Sequence, residues 1–82
     1  MGVNNMTFDI DFYREQVKNY QEEKEILLNA LINVVKKDFP NYNLIERIVE
    51  KIYHTNTSID YNSKMLNEHL ELEKDKSEES AN

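Results

Sequence analysis

A single proline interrupts this chain. Pro40 is the only proline among the 82 residues, and Gly2 is the only glycine. Proline disfavours helical backbone at the residue before it and cannot donate a helical hydrogen bond. The interior therefore has one strong break, at Phe39-Pro40-Asn41, and no comparable break on either side. Because no stretch of useful length alternates apolar and polar residues as a strand does, the sequence predicts two long helices.

The segment before Pro40 carries a heptad pattern. Spacings of three and four residues connect eight positions, which we call the α1 seam: Ile10, Tyr13, Val17, Tyr20, Lys24, Leu27, Leu31 and Val34. Such a repeat is typical of helices that pack side by side. Thr7 or Asp9 can cap the beginning of this helix, and Lys36 and Lys37 are expected in its last turn, where positive charge suits the helix dipole.

Beyond the middle of this helix the apolar stripe becomes wider. The additional apolar residues are Leu28, Ile32, Val35 and Phe39. A wide stripe predicts contact with more than one neighbouring helix. A two-helix hairpin would leave these four side chains partly exposed, and an exposed apolar patch usually marks an interface.

The segment after Pro40 predicts a second helix, capped by Asn41 or Asn43. Residues 54–58 have poor helix propensity, so Thr57 or Ser58 could instead begin a third helix. Four apolar residues nevertheless keep one phase at seven-residue spacing across this weak stretch: Ile45, Ile52, Ile59 and Leu66. A separate helix would have no reason to keep that phase. We therefore expect one continuous helix that ends near residue 72 or 73.

The predicted fold is all-α: a long antiparallel two-helix hairpin, with three helices as the alternative if the chain breaks at 55–58. Residues 9–73 form the hairpin with its turn at 39–42, between a flexible segment 1–8 and a disordered acidic tail 74–82.

A chain this small buries only roughly 60% of its unfolded surface, so a partner would help it to fold. We expect two hairpins to form a four-helix bundle, as a homodimer, or one hairpin to pair with another helical protein. The predicted interface residues are Leu28, Ile32, Val35, Phe39, Ile45, Ile52, Ile59 and Leu66.

Polar residues interrupt the predicted helix faces at three places: Lys24, Thr55-Asn56 and Asn62-Ser63. Buried polar residues at such positions lower stability but can fix register and the choice of partner. We expect instead that Lys24 extends its ammonium group to water and that the other four residues face solvent.

The residue types argue against an enzyme. The chain has no cysteine, and its two histidines, His54 and His69, lack the Glu-x-x-His pattern of metal sites in helical bundles. Ser58 lies four residues after His54, but a nucleophile also needs a third group that orients its base. We expect no cofactor, no metal and no small-molecule substrate. The absence of cysteine favours a cytoplasmic protein, and the longest apolar run, broken at Asn33, is too short for a membrane span.

The distribution of charged residues suggests the remaining alternative functions. The best candidates for nucleic-acid contacts are Lys36, Lys37, Arg47 and Lys51, but acidic residues lie among them and nucleic acid is not the expected partner. One alternative is an acidic mimic of nucleic acid that inhibits a DNA- or RNA-handling enzyme, because the net charge is -6. Residues 68–82 hold six acidic and two basic side chains, which would place such a role in the last turns of the second helix and the tail. The other alternative is a small RNA-binding helical dimer. The residues carry no signature of a known family. The prediction is a non-enzymatic protein–protein interaction module: a small regulator, inhibitor or accessory subunit.

Overall fold

The computed structural model describes the backbone of residues 5–81 and the side chains of residues 9–74. It contains two helices, α1 (Asn5–Val35) and α2 (Tyr42–Ala81), and no strand in the described part of the chain. The helices pack against each other as an extended antiparallel hairpin with dimensions of 66 × 20 × 14 Å. The prediction of an all-α hairpin is confirmed. A thickness of 14 Å means that the hairpin is a single layer of helices.

The connection between the helices is stabilised by capping at both ends. The Lys36 N–H donates to the Ile32 carbonyl (3.1 Å), and the Lys37 N–H donates to the Val34 carbonyl (3.3 Å), which tightens the end of α1. At the start of α2, Asn41 Oδ1 accepts a hydrogen bond from the Leu44 N–H (3.1 Å). Asn41 is therefore the N-cap, one of the two predicted candidates.

Two expectations about this connection were wrong. Lys36 and Lys37 follow the last turn of α1 rather than lying in it, because α1 ends at Val35. Phe39 lies in the connecting segment and not on a helix face, and it is 95% exposed. The cause is that Pro40 restricts the residue before it and the chain must reach the Asn41 cap, so the helix ends several residues before the proline.

The two helices meet along heptad positions. The α1 seam is buried or half-buried at every one of its eight positions. The corresponding α2 seam follows the same alternation of three and four residues: Ile45, Ile48, Ile52, Thr55, Ile59, Asn62, Leu66 and His69. Only three apolar side chains in the described region are buried, namely Ile10, Val34 and Ile48. The hairpin alone therefore has a small core.

Helix α2 runs without a break through residues 54–58, which confirms the continuous helix and excludes the third helix. Ile52 and Ile59 are half-buried at seam positions on either side of the weak stretch, and packing between helices outweighs local propensity. Within the stretch, the Thr57 hydroxyl donates to the Tyr53 carbonyl (3.1 Å), so its polar group is satisfied inside the helix.

The polar interruptions of α2 do not face solvent as expected. Thr55 is only 5% exposed and Asn62 only 8% exposed, and both occupy α2 seam positions. Asn62 Nδ2 donates to the Ser58 carbonyl one turn earlier (2.7 Å), which satisfies its donor within the helix. The expectation was wrong because helix periodicity, not residue polarity, decides which side chains enter the seam. Lys24 is half-buried at the α1 seam.

The helix ends lie beyond the predicted ones. α1 begins at Asn5 rather than at Thr7 or Asp9, and α2 continues to Ala81 rather than ending near residue 73. Residues 74–81 contain no glycine or proline, and their Lys, Glu and Ala residues favour helix. The division into a flexible segment 1–8, a hairpin 9–73 and a disordered tail 74–82 stays a prediction, and residues 1–4 and 82 lie outside the described residues. Neither helix has an apolar stretch long enough to cross a bilayer, over the described residues.

Candidate functional site

The hairpin has two different flanks. Each residue of a helix is rotated by about 100° from the one before it. In an antiparallel pair, this rotation places the residues that immediately follow seam positions on the same flank in both helices. Residues that immediately precede seam positions lie on the opposite flank. The grooves between the helices agree with this division: Glu23, Lys51, His54 and Ser58 line one groove together, and each of them precedes a seam position.

The flank that follows the seam is apolar in the half of the hairpin next to the turn. We call this surface the outer face; it consists of Leu28, Ile32 and Val35 of α1 and Tyr42, Val49 and Tyr53 of α2. These six residues are between 39% and 72% exposed. Counted with their polar atoms, these six residues expose on the order of 700 Å², and the apolar part is comparable with the roughly 300–600 Å² of the largest apolar patch on a typical monomer. The exposed Glu46 lies between Tyr42 and Val49 on the same stripe of α2. In the other half of the hairpin the same flank is polar.

The structure places the predicted interface residues in three different locations. Leu28, Ile32 and Val35 lie on the outer face, and Phe39 is exposed in the connecting segment. The remaining four are half-buried in the α2 seam: Ile45, Ile52, Ile59 and Leu66. These four positions belong to the line along which α2 packs on α1 of the same hairpin, and not to the outer face. Binding of a partner by these eight residues stays a prediction.

Sequence reasoning did not place Val49 and Tyr53 of α2 on this surface. Val49 and Tyr53 are one turn apart and 49% and 68% exposed, and Tyr42 is more exposed still. The available signal was their position one residue after Ile48, Ile52 and Asn41 in the heptad count, which is the same offset that relates Leu28, Ile32 and Val35 to the α1 seam.

The opposite flank carries a shallow groove with no catalytic geometry. Tyr20 and Thr55 form its floor beside His54 and Ser58. His54 Nε2 lies 3.7 Å from Glu50 Oε1, and both side chains are about seventy per cent exposed. Water therefore reaches both groups, and the helical backbone N–H groups are already bonded, so no oxyanion site stands beside Ser58. The described residues contain no group of three or more side chains that could hold a metal ion.

The candidate nucleic-acid contacts do not form a basic surface. Lys36 and Lys37 are exposed in the connecting segment next to Asp38, while Arg47 and Lys51 lie one turn apart on α2. Lys51 shares its groove with Glu23. Acidic groups thus accompany Lys36, Lys37 and Lys51, whereas a surface that binds phosphates carries a continuous positive stripe. Nucleic-acid contacts of these four residues stay a prediction.

A small cluster of side chains around His69 joins the two helices at the end of the hairpin that is farthest from the turn. His69 Nε2 lies 3.6 Å from Asp9 Oδ2 of α1, and His69 Nδ1 lies 2.7 Å from the Met65 carbonyl oxygen. The imidazole ring also contacts Tyr13, with ring centroids 5.3 Å apart, and Tyr13 in turn packs edge-on against Phe12 at the same distance. His69 therefore connects the two helices.

Comparison with protein families, with curated proteins and with solved structures finds nothing significantly similar. Among the described residues, the outer face is the largest cluster of exposed apolar side chains on one flank.

Proposed function

We propose that this protein is a non-enzymatic protein–protein interaction module that binds through its outer face. It acts as a small helical regulator, inhibitor or accessory subunit. The observation that supports this proposal is the segregation of exposed apolar side chains: six of them lie together on one flank next to the turn. Scattered apolar residues are normal on a protein surface, whereas a contiguous patch of this size marks an interaction site.

The location of the outer face also supports the proposal that it binds a partner. The outer face is flat and is formed by two helices side by side, so a third and a fourth helix can lie across it and complete a bundle. Two tyrosines stand at its edge on α2, Tyr42 and Tyr53, and tyrosine is enriched among the residues that dominate binding energy.

Site-specific photo-crosslinking tests the proposal. A benzophenone side chain placed at position 32, on the outer face, should give a defined adduct on irradiation in lysate of the producing cells. The matched control is position 26: Ile26 is also an exposed isoleucine of α1, but it precedes a seam position and lies on the opposite flank. A high yield at position 32 and a low yield at position 26 supports the proposal. Equal yields at both positions, or no adduct at either, contradicts it.

A further inference from the structure

We infer that the occupant of the outer face is a second copy of this chain, related by a two-fold axis perpendicular to the helices, with the two turns at opposite ends. The inference rests on the proposed function, since it names the partner of the same surface. Three observations carry it: the area of the face, the thickness of the hairpin and the charges at the two ends of the face.

The area of the outer face fits one side of a stable dimer. A standard interface buries about 800 Å² on each partner, and the six side chains of the outer face expose on the order of 700 Å². In a two-fold dimer the same patch is used by both copies, so one surface of this size on each chain is sufficient.

The thickness of the hairpin explains why a permanent partner is needed. Domains bury their apolar surface between two packed layers, but this hairpin is one layer of 14 Å with three buried apolar side chains in the described region. A second copy supplies the missing layer. It is also the partner that is always present when the chain folds.

Charges at the two ends of the outer face select the orientation. Glu25 precedes Leu28 on the same stripe of α1, and Lys36 and Lys37 stand at the turn end. The two ends are about 17 Å apart along the helix, so these groups cannot pair within one chain. A two-fold axis at the level of Leu31, midway between residue 25 and residues 36–37, stacks α1 on α1 of the second copy with reversed direction. Each Glu25 then lies beside Lys36 and Lys37 of the other copy.

The other two-fold arrangement has both turns at one end. It stacks α1 on α2 of the second copy, so that Glu25 meets uncharged residues near Tyr53 and the two lysines meet the region of Tyr42. Glu46 also lies on this flank, at about the level of Ile32, because cross-helix neighbours such as Asp9 and His69 have residue numbers that add up to about 78. Opposite turns therefore bring Glu46 near Glu46 of the second copy, and this one like-charge contact opposes the two contacts between Glu25 and the lysines without cancelling both. The pairing of opposite charges therefore favours opposite turns.

Charge reversal with sedimentation equilibrium of the full chain tests the inference. The wild type is expected to be a dimer at tens of micromolar. Glu25→Lys should raise the dimer dissociation constant roughly 10-fold at low salt, because two symmetric contacts change from attraction to repulsion. The pair Lys36→Glu and Lys37→Glu should weaken the dimer similarly, and combining all three substitutions should restore the dissociation constant to within about threefold of wild type.

The control is Glu22→Lys, which makes the same change in net charge on the solvent side of α1 and should leave the dissociation constant unchanged. All variants alter exposed residues, and far-ultraviolet circular dichroism confirms that each one remains helical. A dimer in which the combined variant is as weak as the single reversals overturns the proposed arrangement. A helical wild-type monomer at hundreds of micromolar overturns the second copy as partner. Crosslinking from position 32 to a different protein would then leave the proposed function standing, whereas no selective adduct would contradict both.

Discussion

Replacing Asn62 by leucine should stabilise the protein. Asn62 is 8% exposed in the α2 seam, where the heptad pattern calls for an apolar side chain. Its Nδ2 donates to the Ser58 carbonyl, but that carbonyl also accepts the helical N–H of residue 62, so the substitution leaves no acceptor unsatisfied. The change therefore exchanges a polar side chain for an apolar one at little loss of hydrogen bonding.

The expected gain can be worked out from burial. Full burial of a leucine side chain contributes about 1.5–3 kcal/mol, and leucine has a helix propensity about 0.5 kcal/mol better than asparagine. In a hairpin with a single layer of helices, a leucine side chain packs against fewer neighbours than in a two-layer core. We therefore expect a gain at the lower end of this range. We expect the free energy of unfolding to rise by about 2 kcal/mol, which raises the melting temperature by about 10 °C in a domain of this size.

Thermal melting followed by circular dichroism measures this gain, at one fixed protein concentration for all variants. The control is Asn29→Leu, at an exposed position on the side of α1 turned away from α2, which adds only the propensity term of about 0.5 kcal/mol. Sedimentation of each variant at the same concentration checks that the assembly is unchanged. If Asn62→Leu raises the melting temperature no more than Asn29→Leu does, position 62 is not buried and the α2 seam is assigned wrongly.

Three smaller predictions concern the two ends of the hairpin. Asn41→Ala removes the acceptor of the Leu44 N–H and should destabilise the protein by about 1 kcal/mol in urea unfolding, while Asn41→Ser retains most of the capping. Tyr13→Leu keeps an apolar residue in the seam but loses two ring contacts, and the urea midpoint should fall by the equivalent of about 1 kcal/mol. Asp9→Asn should change stability by less than about 0.5 kcal/mol, because the carboxylate is half exposed and 3.6 Å from His69; a larger loss would show that this contact is stronger than its geometry indicates.

The topology could be predicted because its determinants are local. Pro40 and the Asn41 cap fix where the chain turns, and the constant phase of Ile52 and Ile59 shows that one helix spans the weak stretch between them. Both signals act within a few residues or one helical period. Neither depends on what else the chain contacts.

The burial of polar seam residues was missed, because it depends on the register of the two helices and not on the polarity of the residue. Polarity assigned Thr55 and Asn62 to solvent, whereas continuation of the heptad count from Ile48 would have placed both in the seam. Register is a property of the pair of helices, and it is fixed by the favourable contacts of the other seam residues even where single positions are unfavourable. For the same reason the contribution of Val49 and Tyr53 to the outer face was missed: it follows from which flank of α2 remains open, and this is decided only when α1 is in place.

The apolar surfaces of the hairpin are concentrated near the turn, and this concentration explains the form of the proposed dimer. The seam contains Val34 and Ile48 next to the turn but Thr55, Asn62 and His69 farther away, and the outer face ends where the seam becomes polar. An apolar outer face along the whole length would expose a much larger apolar surface on every unpaired chain and would promote aggregation. Confining it to the half next to the turn means that two copies with opposite turns overlap only there. The polar halves then project from both ends of the bundle, each closed by its own contacts and free of the interface.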